Sequence, residues 1–306
     1  LSQEGCSALL VQEYEYPRFD VCLLLGKVLG LPVLATFQGG RPEKGRSLEG
    51  WVRKRTVPRA AGLLIGPRRE AEAVKARYGL PPEAITAVAN PVDAEEWRPQ
   101  DREAARAEMG LPEDAAVACW HGRIDIRRKG LDILVEAWGR VCQERPGADL
   151  RLLLCGGGAG NEKLRYLMEE AGLRGVHWHD EYTTDRGIVR RQLAASDLFV
   201  FPSRHEGFAV APMEAMACGR AVVACDAPGV VDLLRGGERA GGIVVGKNAK
   251  KLAGAMGRLV DDRERAWRLG EAARRRIVER YSPEAIGEAL LEALHGASPE
   301  IFRPPG

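Results

Sequence analysis

The run Leu198-Phe199-Val200-Phe201-Pro202-Ser203-Arg204-His205-Glu206-Gly207-Phe208-Ala209-Val210-Ala211-Pro212-Met213-Glu214-Ala215-Met216-Ala217-Cys218-Gly219-Arg220-Ala221-Val222-Val223-Ala224-Cys225 decides the fold. Residues 198–201 and 221–225 are uninterrupted apolar runs of strand length. They lack the polar alternation of a strand with one face in water. Between them Pro212 suits the first turn of a helix and Gly219 its end. A strand, a helix and a second strand, both strands apolar throughout, make the repeating unit of a parallel sheet covered on both faces.

The same alternation extends outward. Short apolar runs at 8–12, 32–36, 62–65, 85–88, 116–120, 151–155 and 176–179 read as further strands. Over 131–141, apolar residues fall at Leu131, Leu134, Val135, Trp138 and Val141, the stripe of an amphipathic helix. A seam is expected within 90–114. Asn90-Pro91-Val92-Asp93 is turn chemistry, and Trp97-Arg98-Pro99-Gln100-Asp101 is a polar linker. Residues 1–100 therefore read as a partial α/β domain and 101–281 as a more complete one. The chain opens at Leu1 and enters the run Ala8-Leu9-Leu10-Val11 almost at once, which reads as entry into the middle of a domain.

Composition narrows the function classes. A chain of 306 residues, 45% apolar and 29% charged, is ordinary for a globular protein that buries a core without staples. A net charge of +2 carries no nucleic-acid signature. The longest apolar run, Ala115 to Trp120, is far shorter than the ~20 residues of a membrane span. Leu1-Ser2-Gln3-Glu4-Gly5 does not read as a secretory leader. The 7 cysteines form no C-x-x-C pair and mostly sit in apolar runs, as reduced core residues of a cytoplasmic protein do. His177 and His179 alternate on one strand without an evident third ligand, so no metal site is expected.

Ligands of open parallel sheets bind beyond the carboxyl ends of the strands. After 116–120 come His121-Gly122-Arg123 and then Lys129-Gly130: a glycine that permits close approach and two cations suited to an anion, or simply a basic surface loop. After 151–155 come Gly156-Gly157-Gly158-Ala159-Gly160, a phosphate cradle in principle, with Asp180 and Glu181 ending the next strand. Asn161 stands where a dinucleotide fingerprint needs its third glycine, which leaves a nicotinamide-dependent oxidoreductase as an alternative. After 198–201, Glu206 precedes a helix and Glu214 is expected in its first turn, with the amides around Phe208, Ala209 and Val210 at the positive end. Carboxylates beside an anion site make sense when the ligand carries hydroxyls as well as phosphates.

These motifs, taken in order, resemble the retaining GT-B glycosyltransferases of glycosyltransferase family 4, over about residues 8–293. Glu206-x7-Glu214 with Ala215-Met216-Ala217-Cys218-Gly219 matches that family's E-x7-E signature. His121-Gly122-Arg123 with Lys129-Gly130 is similar to its G-R-x5-K-G, and Asn90-Pro91-Val92-Asp93 to its N-G-V-D. Arg280-Tyr281-Ser282-Pro283 is similar to the start of a terminal helix, 282–306, that crosses back to the first domain.

The resemblance implies two Rossmann-like domains with parallel sheets, the first incomplete: an acceptor side in 1–100 and a nucleotide-sugar donor domain in 101–281. It implies transfer of a hexose from a nucleotide-diphosphate sugar to a glycan or lipid-linked saccharide hydroxyl, with no metal and no further cofactor. Arg123 and Lys129 would hold the diphosphate, helped by the amides of Phe208, Ala209 and Val210. Glu214 would bind the ribose and Glu206 the transferred sugar. Gly122 and Gly157 would pass close to the donor, with Asp180 and Tyr182 beside the base. The expected place is the cytoplasm, at the inner face of the membrane, with peripheral membrane contact through the first domain. Gln38 stands where the family often has His, and nothing matches the family's leading strand and Gly-rich loop. A nucleotide-sugar epimerase or phosphorylase, or a donor-binding fragment without activity, are the further alternatives.

Overall fold

The apolar runs become two all-parallel sheets in a computed structural model that describes residues 6–37, 48–181, 183 and 185–297. The chain divides into two compact units. The first runs to Pro91 and resumes at Pro283. It holds β1 (Leu9–Val11), α1 (Pro17–Leu29), β2 (Val33–Phe37), α2 (Leu48–Thr56), β3 (Gly62–Ile65), α3 (Arg68–Tyr78) and β4 (Ile85–Thr86). Its sheet has the order β1-β2-β3-β4. Val33, Ala35, Leu63 and Ile65 fill its core with the aromatic rings of Tyr14, Phe19 and Phe37. α1 is apolar nearly all round. Cys22 and Leu23 pack inward, while Leu24 and Val28 stand 68% and 82% exposed.

The second unit, Val92–Ser282, carries α4 (Arg102–Glu108), β5 (Ala116–His121), α5 (Ile126–Lys129), α6 (Leu131–Glu144), β6 (Leu150–Cys155), α7 (Asn161–Glu170), β7 (Val176–His179) and α8 (Arg186–Ala195). It continues with β8 (Leu198–Phe201), α9 (Val210–Ala217), β9 (Ala221–Cys225), α10 (Pro228–Leu233), β10 (Gly242–Val245), α11 (Ala249–Asp261) and α12 (Arg263–Tyr281). The last helix, α13 (Pro283–Ala297), belongs to the first unit and packs on β3. No helix among the described residues is long and apolar enough to cross a membrane.

The seam falls at Pro91, inside the expected 90–114 and earlier than residue 100, where the first domain was expected to end. The reason is packing: Val92, Ala94 and Trp97 are buried in the second unit's core, and the Val92 amide donates to the Tyr281 carbonyl at 2.8 Å. The linker-like polar residues are the solvent side of a segment whose apolar side is core.

The second sheet has the order β10-β9-β8-β5-β6-β7. From β5 the chain winds outward through β6 and β7, then crosses back to β8 and winds the other way. The reversal leaves a crevice beyond the carboxyl ends of β5 and β8, where open α/β sheets bind ligands. Alternate residues of each strand feed opposite cores. Ala116, Ala118 and Trp120 join Leu198 and Val200 on one face, with α6 and α11 packed against each other nearby. Val117 and Cys119 join Phe199 and Phe201 on the other, which α9 and α12 share. Continuous apolar strands are thus the direct result of two covered faces.

Two local expectations need correction. β10 was not foreseen: it is four residues long, starts at Gly242 after Gly241, and three of those residues are only half-buried. The helix expected around Pro212 begins at Val210, so Glu214 lies in its second turn rather than its first. Pro212 is still early enough that no helical hydrogen bond is lost.

Candidate active site

β5 ends at His121, and the chain must turn at once. Gly122 does so at φ +146°, a backbone state that suits glycine. Gly156, at the matching end of β6, sits at φ +138°, and a Cβ there would lie 1.9 Å from the Gly122 carbonyl oxygen. Gly158 and Gly160 repeat the pattern against Ile124, with contacts of 2.8 Å to its carbonyl oxygen and 2.9 Å to its side chain. The glycines therefore let two strand-end loops touch. The open phosphate cradle expected of this turn is not what its hydrogen bonds build. The Gly158 amide is taken at 2.8 Å by Oδ1 of Asn161, whose Nδ2 donates to the Asp180 carbonyl at 2.8 Å.

Beyond Gly122 the loop enters α5, capped by Asp125, which accepts from the Arg128 amide at 3.0 Å. α5 ends at Lys129 because Gly130 turns left-handed at φ +67°. The Lys129 ammonium donates to Oε1 of Glu206 at 2.7 Å, across the loop that follows β8. The Glu206 side chain is only 8% exposed, so this charge-assisted bond is largely sheltered from water.

A cavity of about 580 Å³ opens at the same sheet edge, lined by Trp97, His121, Gly122, Arg123, Arg186 and Glu214 among others. Burial raises the Glu214 carboxyl to about 7; Arg186 opposes the rise and Glu96 adds to it. His121 Nε2 is 3.5 Å from Glu214 Oε2, yet burial lowers this imidazole to about 4. At neutral pH His121 is uncharged and supplies no counter-charge. A carboxyl poised near neutrality beside a neutral ring is chemistry for hydroxyl groups, which both donate and accept. Arg123 is exposed and forms no ion pair among the described residues, so its planar fork remains open to an anion.

The structure brings Gly122, Arg123 and Glu214 into one cavity and pairs Lys129 with Glu206. Ala209 occupies the N-cap of α9 and Val210 its first turn, while Phe208 packs on the core. Gly157 uses its carbonyl to accept from the Ile124 amide at 3.1 Å. Asp180 does not line the cavity, and its carboxylate is ion-paired with Arg165. Tyr182 and Gln38 lie outside the described residues. Among the described residues there is no group of three or more side chains that could hold a metal. Sequence reasoning gave no role to His121, Trp97 or Arg186. His121 stood in a quoted motif, but its burial next to Glu214 had no sequence signal. Arg186 follows Asp185, which accepts from the Gly187 amide at 2.7 Å and caps α8, a signal that was legible.

Comparison with known proteins adds to this geometry. A family model described as glycosyl transferases group 1 matches residues 101–276. A D-inositol 3-phosphate glycosyltransferase of Rhodococcus erythropolis (strain PR4 / NBRC 100887) is 32% identical over 283 residues, 89% of this chain and 63% of that protein. An alpha-maltose-1-phosphate synthase of Mycolicibacterium smegmatis (strain ATCC 700084 / mc(2)155) is 30% identical over 275 residues, 82% of this chain and 69% of that protein. The chain thus spans less than two thirds of the length of the inositol-phosphate enzyme. Among solved structures, Anabaena HepE in complex with UDP has a TM-score of 0.81 at 19% identity, covering 95% of this chain and 80% of that one, a likeness of fold.

Proposed function

Because this chain belongs to the group 1 glycosyl transferases, we propose that it moves a hexose from a nucleotide-diphosphate sugar to an acceptor hydroxyl, with retained anomeric configuration. One observation carries the reading. Lys129 and Glu206 are paired at 2.7 Å at the sheet edge where the strand order reverses, and Arg123 and Glu214 line a cavity at that edge. Cations suited to a diphosphate and carboxylates suited to sugar hydroxyls at the strand ends, where open parallel sheets bind ligands, support the reading.

The roles follow from the chemistry. Arg123 and Lys129 hold the diphosphate and stabilise the charge that grows as the sugar leaves. The amides of Phe208, Ala209 and Val210, at the positive end of α9, support the same group. A diphosphate arriving at Lys129 competes with Glu206 for the ammonium, which releases the Glu206 carboxylate toward the transferred sugar and its oxocarbenium-like centre. Glu214 accepts from the ribose hydroxyls, and these bonds favour its ionised form. Gly122 and Gly157 pass close to the donor. The segment 179–181 lies beside the base, with Asp180 contributing its backbone, since its carboxylate is committed to Arg165. The cations and the helix end supply the neutralisation, so the reaction needs neither metal nor further cofactor. The acceptor is a glycan or a lipid-linked saccharide, met at the cytoplasmic face of the membrane.

A thermal-shift panel of UDP, GDP, ADP and their glucose and mannose derivatives tests this reading. One nucleoside diphosphate at a hundred times its Kd should add about 2.7 kcal/mol of stability. Arg123→Ala and Lys129→Met should abolish the shift, and Glu206→Gln should stop transfer. A panel without any shift, or a shift indifferent to both cation variants, overturns the reading.

A further inference from the structure

We propose that Arg204 and Asp132 form a clamp that positions Lys129 against Glu206. Its functional meaning rests on the donor-site reading above; its geometry stands by itself. Lys129 ends α5 and Glu206 lies in the loop after β8, 77 residues away in sequence. An ion pair between two rotatable side chains is only as well placed as the backbones that carry them.

Three links join those backbones. The Arg204 amide donates to the Arg128 carbonyl at 2.9 Å. Gly130, at φ +67°, lies so close to the other loop that a Cβ would be 2.0 Å from the Pro202 carbonyl oxygen. The third link is made by side chains. Arg204 Nη1 donates to Asp132 Oδ1 at 2.6 Å and Nη2 to Asp132 Oδ2 at 2.7 Å, while Nη1 also donates to the Arg127 carbonyl at 3.0 Å. A two-pronged arginine–carboxylate bond fixes both separation and orientation, which a lysine cannot do. Asp132 follows Lys129 in the first turn of α6, and Arg204 precedes Glu206 in its loop, so the fork ties together the same two segments that carry the Lys129–Glu206 pair.

Two further facts favour positioning over the other roles. With both Nη1 donors and one Nη2 donor committed to Asp132 and Arg127, the Nη1–Nη2 fork of Arg204 is not open to a phosphate. The side chains are 27% and 43% exposed, and pairs that wet add little to global stability. Burial by itself would raise the Asp132 carboxyl, but the hydrogen bonds and charge of Arg204 outweigh it and hold the group below the usual carboxylate range. Asp132 is therefore ionised across neutral pH and the fork stays closed.

The first test needs no donor. Lysine reactivity toward trace acetic anhydride is read by mass spectrometry in the whole 306-residue chain, with Lys250 and Lys251 as internal references. Glu206→Gln, Arg204→Met and Asp132→Asn should each raise acetylation of Lys129 by about threefold or more, because an amine held against a carboxylate is shielded. Arg204→Lys, which keeps the charge but not the fork, should fall between. Unchanged Lys129 reactivity in Arg204→Met, while Glu206→Gln raises it, overturns the clamp. So does a parallel rise at every lysine, which means general loosening. Should Arg204→Met fail to fold, Asp132→Asn keeps the partner's shape and decides the same question.

The second test is a cycle in UDP affinity by calorimetry. Arg204→Met should weaken UDP about tenfold, yet add less than about twofold once Lys129→Met is present, because both changes remove the same contact. Penalties that multiply independently overturn the clamp. If the wild-type chain binds no nucleoside diphosphate, the donor reading fails and the acetylation result alone decides the clamp.

Discussion

Replacing Glu214 by Gln removes a carboxyl that the fold holds in an unfavourable place. Burial raises the group from its ordinary 4.5 to about 7, with Arg186 opposing, Glu96 adding, and the nearby His121 neutral. A raised carboxyl means that folding favours the protonated form. The contribution is intact below about pH 4.5 and is lost as pH rises through about 7. At ~1.4 kcal/mol per pH unit, ionised Glu214 costs the folded chain about 3 kcal/mol. Gln has the same size and never ionises. Glu214→Gln should therefore match the wild type near pH 4 and exceed it by about 3 kcal/mol near pH 8, with most of the gap opening between about pH 5 and 7. Urea unfolding across that range reads the gap through the fluorescence of Trp120 and Trp138, both buried in the second unit. A gap that stays constant with pH, or a wild type that gains on the variant in alkali, refutes the account of Glu214. Under the proposed role, UDP should do the reverse: its hydroxyls reward the ionised form, so its affinity for the wild type should rise between about pH 6 and 8 and stay flat in Glu214→Gln.

Three other substitutions probe the scaffold. Gly156→Ala places a Cβ 1.9 Å from the Gly122 carbonyl at φ +138°, and should cost more than about 3 kcal/mol in urea unfolding, while Gly172→Ala, at φ +56° with nothing within 4 Å, should cost only about 1 kcal/mol; equal losses would remove the close-approach argument. Asp197→Asn strands the buried Arg106 guanidinium and should cost about 3–5 kcal/mol, with stability partly restored in Asp197→Asn/Arg106→Met; a thermal midpoint like the wild type's would contradict this. Leu24→Gln with Val28→Gln should shift stability by less than about 1 kcal/mol yet reduce binding of an apolar dye, since both side chains already face solvent; a large stability loss would show that they are packed.

Much of the second unit was legible because its strands are covered on both faces, so burial writes itself into sequence as unbroken apolar runs. β8 and β9, all of whose residues are buried, were read with their observed bounds. β10 escaped because a short run after two glycines reads equally well as loop. The spacing of Glu206 and Glu214 was legible as a motif; its partners were not. Lys129 meets Glu206, and Asp132 meets Arg204, only through the reversal of strand order between β5 and β8. Gly156–Gly160 reads as a phosphate cradle only in principle, or as a tight strand–helix turn, for a definite reason. A glycine marks a place where something comes close, and phosphate and another backbone leave the same signature. Only the tertiary structure shows that the neighbours are Gly122 and Ile124.

The two kinds of buried charge in the second unit separate scaffold from site. Arg106 and Asp197 are 2% and 11% exposed, and every prong is satisfied. Arg106 donates to the Ala195 and Ala115 carbonyls at 2.9 and 2.8 Å and to Asp197 at 2.9 Å, while Asp197 also accepts from the Val117 amide at 2.8 Å. The network ties the entry of β5 to that of β8. At the opposite ends of the same strands the rule is broken. Among the described residues, Glu214 is pushed toward neutrality without a paired cation and His121 keeps Nε2 without a hydrogen bond. Stability gains nothing from that arrangement, and a scaffold that satisfies Arg106 so fully could satisfy these groups too. Local violations confined to one end of the sheet, where the topology opens its crevice, mark groups held ready for a ligand.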